Sequence, residues 1–258
     1  MDSDPDPRPL VHLTLDDTTA RVHLDDPATR NALSPSLSLE LAAAVSSALA
    51  AGATALLLTA APPVFCSGGS LDELLAPTHP LDDAYAGFLA LADAPIPTIA
   101  VVDGAVVGAG VNLPLACDVV LTSPDARIDP RFLDVGIHPG GGHLQRLRER
   151  VGRQGAAALS LCGDQLTGEE AVTAGFAWRC VPSGEPLATA ERYAHRVASR
   201  PPELVRRAKD SLDRSGPGVD PAAARALERE AQEWSMAQPF FAERVAALRA
   251  RIGESGPR

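Results

Sequence analysis

The 258-residue sequence predicts an α/β protein with an appended helical region, on three observations. Continuous apolar runs of strand length recur, at Ala55–Thr59 and Thr98–Val102. A glycine-marked turn follows each of them. From Ala188 onward the pattern is almost entirely helical. A short strand without polar alternation is covered on both faces. Repeated strand, turn and helix at this spacing suggest stacked ββα units rather than a sandwich. The expected division is an α/β core over residues 10–197 and a helical region over 198–258.

The elements follow in order. Residues 1–9 are expected to form a frayed tail. Val11–Leu15 and Ala20–Leu24 alternate and read as a hairpin about Asp16-Asp17. Pro35, after Asn31-Ala32-Leu33-Ser34, sits in the first turn of a helix reaching about Ala50. Leu71 to Ala92 reads as loop and helix, broken at Thr78-His79-Pro80. The second glycine segment enters a helix ending near Ala116, and Asp118–Thr122 is a further strand. Thr167 and Glu170 form a capping box for a short helix that Gly175 ends. Helices are expected over 188–198, 202–212 and 221–251, with Gly216-Pro217-Gly218 as a loop.

Bulk properties exclude several classes. A net charge of -10 argues against a nucleic-acid surface, which needs a basic footprint. Local arginines are still able to hold a phosphorylated ligand. Cys66, Cys117, Cys162 and Cys180 show neither metal-ligand nor disulfide spacing, and reduced cytoplasmic thiols are the expectation. The acidic, Pro-rich start is the opposite of a signal peptide. Apolar runs stop well short of a membrane span. The carboxylates and histidines show no metal-ligand spacing, so no metal is expected.

Two segments carry the chemistry: Phe65-Cys66-Ser67-Gly68-Gly69-Ser70-Leu71-Asp72 and Gly104-Ala105-Val106-Val107-Gly108-Ala109-Gly110-Val111-Asn112, the second running on to Cys117-Asp118. Either alone reads as an ordinary strand-to-helix turn. Together, with Gly136-Ile137-His138-Pro139-Gly140-Gly141-Gly142 and Asp26-Pro27-Ala28-Thr29-Arg30-Asn31-Ala32-Leu33, they resemble the crotonase (enoyl-CoA hydratase/isomerase) superfamily. The resemblance covers roughly residues 10–212. It implies a crotonase-like spiral of ββα units with a C-terminal helical region. It also implies an acyl-CoA substrate, with coenzyme A as part of the substrate and no permanently bound cofactor. The N–H groups of Gly69 and Ala109 would hold the thioester oxygen as it gains charge, and such donors act through fixed geometry. Ser67, Gly68 and Gly108 would line the same ligand. Arg30 would meet a CoA phosphate and Ala32 would offer a backbone contact, although a purely structural Arg30 fits equally well. A homotrimer or dimer of trimers is implied. Trp234, Met236, Phe240 and Phe241 are candidates for the interface, for a pocket lid or for intramolecular core.

The pattern departs from that family at its acid/base positions. Where its hydratases carry two glutamates, counting from Cys117-Asp118 and from Gly136-Ile137 gives Asn112 and Phe132. Ser70 stands where many relatives have aspartate. Asn cannot exchange a proton near neutral pH, and Phe can neither orient nor transfer one. Three readings remain open. The acid/base groups have moved, with Asp134 and His138 as first candidates and Asp129 and His143 as weaker ones; an imidazole suits proton transfer near neutral pH. Alternatively, the donors serve decarboxylation or thioester hydrolysis, with Asn112 positioning substrate and Phe132 keeping a dry wall. In the third reading the chain binds acyl-CoA without turnover. Each acid/base candidate has a structural alternative: Asp134 as a cap, His138 as a packing or backbone partner, His143 as a solvent contact.

Overall fold

The computed structural model describes residues 8–254, and residues 1–7 of the expected tail lie outside the described residues. The chain divides into two units, one running to Ala198 and the other starting at Ser199. In the first unit, β1 (Val11–Asp16) and β2 (Thr19–Leu24) form the expected hairpin. Its turn is Asp17-Thr18, with Asp17 at φ 52°. The helix α1 (Pro35–Ala50) begins with Pro35 in its first turn as expected, and the structure adds a cap, Ser34 Oγ accepting from Leu37 N–H at 3.1 Å.

Next come strand pairs. β3 (Ala55–Ala60) is followed by β4 (Val64–Cys66), then the helices α2 (Leu71–Leu75) and α3 (Leu81–Ala92). β5 (Thr98–Val102) is followed by β6 (Ala105–Val107), a 3₁₀ turn at Gly108–Val111 and α4 (Asn112–Leu115). β7 (Val119–Thr122) is followed by β8 (Arg127–Asp129), a 3₁₀ turn at Leu133–Val135 and α5 (His143–Leu161). The last part of the unit is β9 (Leu166–Thr167), α6 (Gly168–Thr173), β10 (Arg179–Cys180) and α7 (Pro186–Ala198).

The chain alternates between two sheets. A six-stranded sheet has the order β1-β2-β3-β5-β7-β10, parallel except for β1. A four-stranded sheet has the order β4-β6-β8-β9. From β3 to α5 each turn of chain lays one strand in each sheet and then supplies helix, which is the spiral of ββα units.

The apolar runs are explained by burial on both faces. Leu56 and Leu58 of β3 join the core with Leu37 and Leu41 of α1 and Phe88 of α3. Ala55 and Leu57 face the other way, against Ala190 and Ala194 of α7. The Thr167–Glu170 capping box is present, with hydrogen bonds of 3.2 and 2.8 Å.

In the second unit α8 (Pro202–Asp213) matches expectation. The single helix expected over 221–251 is instead two, α9 (Pro221–Met236) and α10 (Pro239–Glu254). Pro239 cannot donate within a continuing helix and instead opens the next one. Arg207 stacks over Trp234, 4.1 Å from the ring centroid. Among the described residues no helix is long and apolar enough to cross a membrane.

These contacts rank the elements energetically. Leu58→Ala, at a fully buried position, is expected to cost about 2–5 kcal/mol, and Ser34→Ala about 1 kcal/mol through its lost cap. Urea unfolding followed by circular dichroism measures both, and the order should be the one given.

Candidate active site

Three short parallel strands set the geometry. β4 pairs with β6, and β6 with β8, all parallel. The segments that leave their C-terminal ends therefore emerge on one side: Ser67–Ser70 after β4, Gly108–Asn112 after β6 and Pro130–Val135 after β8. Parallel sheets commonly bind ligands at this edge.

Close approach between these segments demands small residues. A Cβ on Gly110 would lie 2.6 Å from Cys66 Sγ, so the second segment packs on the first only without a side chain there. Gly68 takes φ 115°, and a Cβ there would meet Val107 O at 3.3 Å. Burial pushes the Cys66 thiol up to about 12, so it serves as packing.

The N-terminal motif is joined to the first segment. Leu33 N–H donates to Gly68 O at 2.7 Å, and Ser70 N–H to Leu33 O at 3.4 Å. This parallel bridge spans Gly69 and leaves the Gly69 N–H outside it. The buried Asn31, at φ 57°, accepts from Asp26 N–H and donates to Ala61 O and Val64 O. Arg30 and Asn31 both hold left-handed backbone, which suits Asn better than most side chains.

A cavity of about 640 Å³ opens at this edge. Ser67, Gly68, Gly69, Gly108, Ala109, Asn112, Phe132 and His138 all line it. Ala109 is the second residue of its 3₁₀ turn, where an N–H has no acceptor within the turn. Ser70 also lines the cavity while capping α2, its Oγ accepting from Glu73 N–H at 3.4 Å.

Other candidates lie elsewhere. Arg30 and Ala32 are outside the lining; Ala32 N–H donates to Thr29 Oγ1 at 3.1 Å. Asp134 is exposed on the 3₁₀ turn and is not brought to the cavity: that turn, rather than an extended stretch, takes it off the face of Phe132. Asp129 is buried and paired with Arg131, whose Nε donates at 2.8 Å. His138 is exposed on the cavity wall, its Nδ1 donating to Pro139 O at 2.7 Å.

His143 is not a solvent contact. It is 1% exposed, and its Nδ1 lies 3.0 Å from Asn112 Oδ1. Phe132 packs edge-on against its ring at 4.8 Å between centroids. Burial, aided by the charge of Arg146, lowers its pKa to about 4, so the ring is neutral near pH 7. An amide and a phenyl ring thus line the cavity, with a neutral imidazole packed against both.

Sequence reasoning missed several lining residues, among them Tyr85, Glu73, His79 and Arg131. Glu73 is held at about 2 by the hydroxyl and N–H of Thr78. None of these lies in a glycine segment, and only the fold brings them to the rim. Among the described residues no group of His, Cys, Asp and Glu side chains is placed to hold a metal ion.

The family model for enoyl-CoA hydratase/isomerase matches residues 15–243. The chain belongs to the enoyl-CoA hydratase/isomerase family. It is thereby an enzyme of the hydratase/isomerase type, on the crotonase fold. It is 37% identical over 252 residues to a probable enoyl-CoA hydratase of Mycobacterium tuberculosis, covering 93% of this chain and 98% of that protein. An enoyl-CoA hydratase from Bacillus anthracis superposes with a TM-score of 0.86 at 25% identity, covering 94% of this chain and 96% of the other. A putative enoyl-CoA hydratase from Thermobifida fusca, solved with acetoacetyl-CoA, superposes with a TM-score of 0.82 at 28% identity, covering 89% and 95%.

The buried imidazole predicts an acid sensitivity. The unfolded ring takes its proton near the ordinary 6.5 and the folded ring only near 4, so between these values the unfolded state holds more protons. The stability contributed is complete above 6.5 and is lost as the pH falls toward 4. Between about pH 8 and about pH 5 the loss should be about 2 kcal/mol. His143→Asn should remove that part of the loss, read from urea midpoints at both pH values. Equal losses in the two proteins would place the sensitivity elsewhere. Gly110→Ala should cost about 1–3 kcal/mol by overpacking against Cys66, measured the same way.

Proposed function

We propose that this family member processes acyl-CoA thioesters through an enolate held by two backbone donors, Gly69 N–H and Ala109 N–H. One observation carries the reading. The Gly69 N–H is left out of the Leu33 bridge, the Ala109 N–H lies in the first turn of a 3₁₀ helix, and both residues line one cavity. Donors fixed before reaction stabilise a developing oxyanion without reorganising. A Cβ on Gly69 would lie 3.7 Å from Ala109 Cβ, so the two residues are neighbours in the cavity lining.

The reaction of first choice is hydration or isomerisation of an enoyl thioester. His138 is the proposed acid/base: Nδ1 is held by Pro139 O, which leaves Nε2 for proton transfer at the cavity wall. Asn112 and Phe132 stand where the resemblance puts the two glutamates. The uncharged lining they provide, with His143 packed against them, favours a second reading. This is either decarboxylation, in which an enolate forms without a carboxylate pair, or thioester hydrolysis, in which the same donors would hold the oxyanion of the tetrahedral intermediate. The CoA moiety is read as part of the substrate, as in the Thermobifida relative solved with acetoacetyl-CoA. Arg30, exposed beside the segment joined to Ser67, is the proposed phosphate partner. A cytoplasmic homotrimer or dimer of trimers completes the proposal. Met236 and Phe241, 54% and 38% exposed, would gain cover by assembly.

The deciding experiment incubates the protein with enoyl-, 3-hydroxyacyl-, malonyl- and saturated acyl-CoA, with mass spectrometry and a binding assay on the same samples. A mass change of one water supports the first reading. Loss of carbon dioxide or release of free CoA supports the second. Binding without product across the panel would overturn both in favour of a silent binder. Gly69→Pro removes one donor while sparing the bridge bonds, and turnover should fall by about 10²–10³-fold. Unchanged kinetics in a folded Gly69→Pro protein would sink the assignment of the donors.

A further inference from the structure

The side chain of Asn112 is partnered on one side only. Its Oδ1 faces His143 Nδ1 at 3.0 Å. A carbonyl oxygen carries no proton, so Nδ1 is the donor and Nε2 the bare nitrogen of the ring. The opposite arrangement would turn the amide over and put an N–H at His143 Nε2. That atom is sealed from solvent and has no partner among the described residues. An orphaned buried N–H is rarer than an under-used acceptor, which sets both the tautomer and the amide. Phe132 packs edge-on to the same ring and limits its rotation.

The Asn112 amide nitrogen has no protein acceptor among the described residues. It is not sealed off either, because the buried unpartnered side-chain atoms there are His143 Nε2 and Ser160 Oγ. Asn112 is 1% exposed and lines the cavity, so its NH₂ group opens into that space. It sits three residues beyond Ala109 along one continuous turn into α4. Helical side chains lean toward the N-terminus, which carries the amide back toward Ala109.

With the thioester oxygen at Ala109 N–H, C2 and C3 of the acyl chain would come within reach of the Asn112 amide, which leans to the same side. A neutral donor at that place attracts an acceptor and cannot exchange a proton. We propose that Asn112, aligned by His143, is a specificity-determining donor that selects acyl thioesters carrying an oxygen on C3: 3-oxo, 3-hydroxy or malonyl-type. His143 acts as a positioning residue. This rests on the acyl-thioester reading above and adds the class of acyl group.

Acetoacetyl-CoA and butyryl-CoA differ only by the oxygen on C3, and titration calorimetry compares them on the intact protein. Acetoacetyl-CoA should bind about tenfold more tightly, the worth of one hydrogen bond that the analogue leaves unmade. Asn112→Leu should bring the two to within about twofold, with the urea unfolding midpoint serving as the check on folding. His143→Leu should also shrink the ratio. His143→Asn, whose Nδ2 stands near the place of Nδ1, should restore it, which a merely space-filling role would not do. Equal affinities in the wild type, or a ratio that survives Asn112→Leu, would overturn the proposal and leave the acyl-thioester reading standing. Binding of neither ester would overturn both.

Discussion

The parallel register of β4, β6 and β8 is the constraint on which the cavity depends. Each strand is only three residues long, too short to be stable by itself. Each is anchored because the strand before it, β3, β5 or β7, is locked into the large sheet between two apolar layers. The large sheet supplies cohesion, and the small sheet turns that cohesion into position. Because all three strands point the same way, three unrelated stretches of chain come to one edge.

Polar accounting at that edge follows from burial. Asn31 meets its hydrogen-bonding capacity with backbone groups and so ties the N-terminal motif to the strand ends. Asn112 is partnered only on its oxygen side, and by the His143 side chain. The difference separates a structural amide from one with capacity to spare for a ligand. His143 explains why a buried histidine need not be an acid or base: removal from water keeps it neutral, and its one hydrogen bond orients a neighbour.

Much of this was readable from residues alone. The long buried strands, α1 with Pro35 in its first turn, and the Thr167–Glu170 box all rest on local signals of period, cap and proline. Strands of two or three residues carry no period to read, so β4, β6, β8, β9 and β10 emerge only from pairing across the fold. The break at Pro239 was marked in the sequence, but the amphipathic pattern on either side hid it. At the site, the glycine segments and Asn112, Phe132 and His138 were visible by motif. The bond between Asn112 and His143 joins residues 31 positions apart and leaves no local trace.

The close fit of Gly110 on Cys66 has a consequence for how such a site is inherited. The proposed oxygen-holding groups belong to the peptide backbone, and what the chain records of them is steric permission: small residues where two segments must touch. Reactive side chains around them are then free to change with little effect on the scaffold. A lineage built this way can exchange its chemistry while keeping its grip on the thioester. Its ancestry is written in glycine, its present reaction in the few side chains facing the acyl chain.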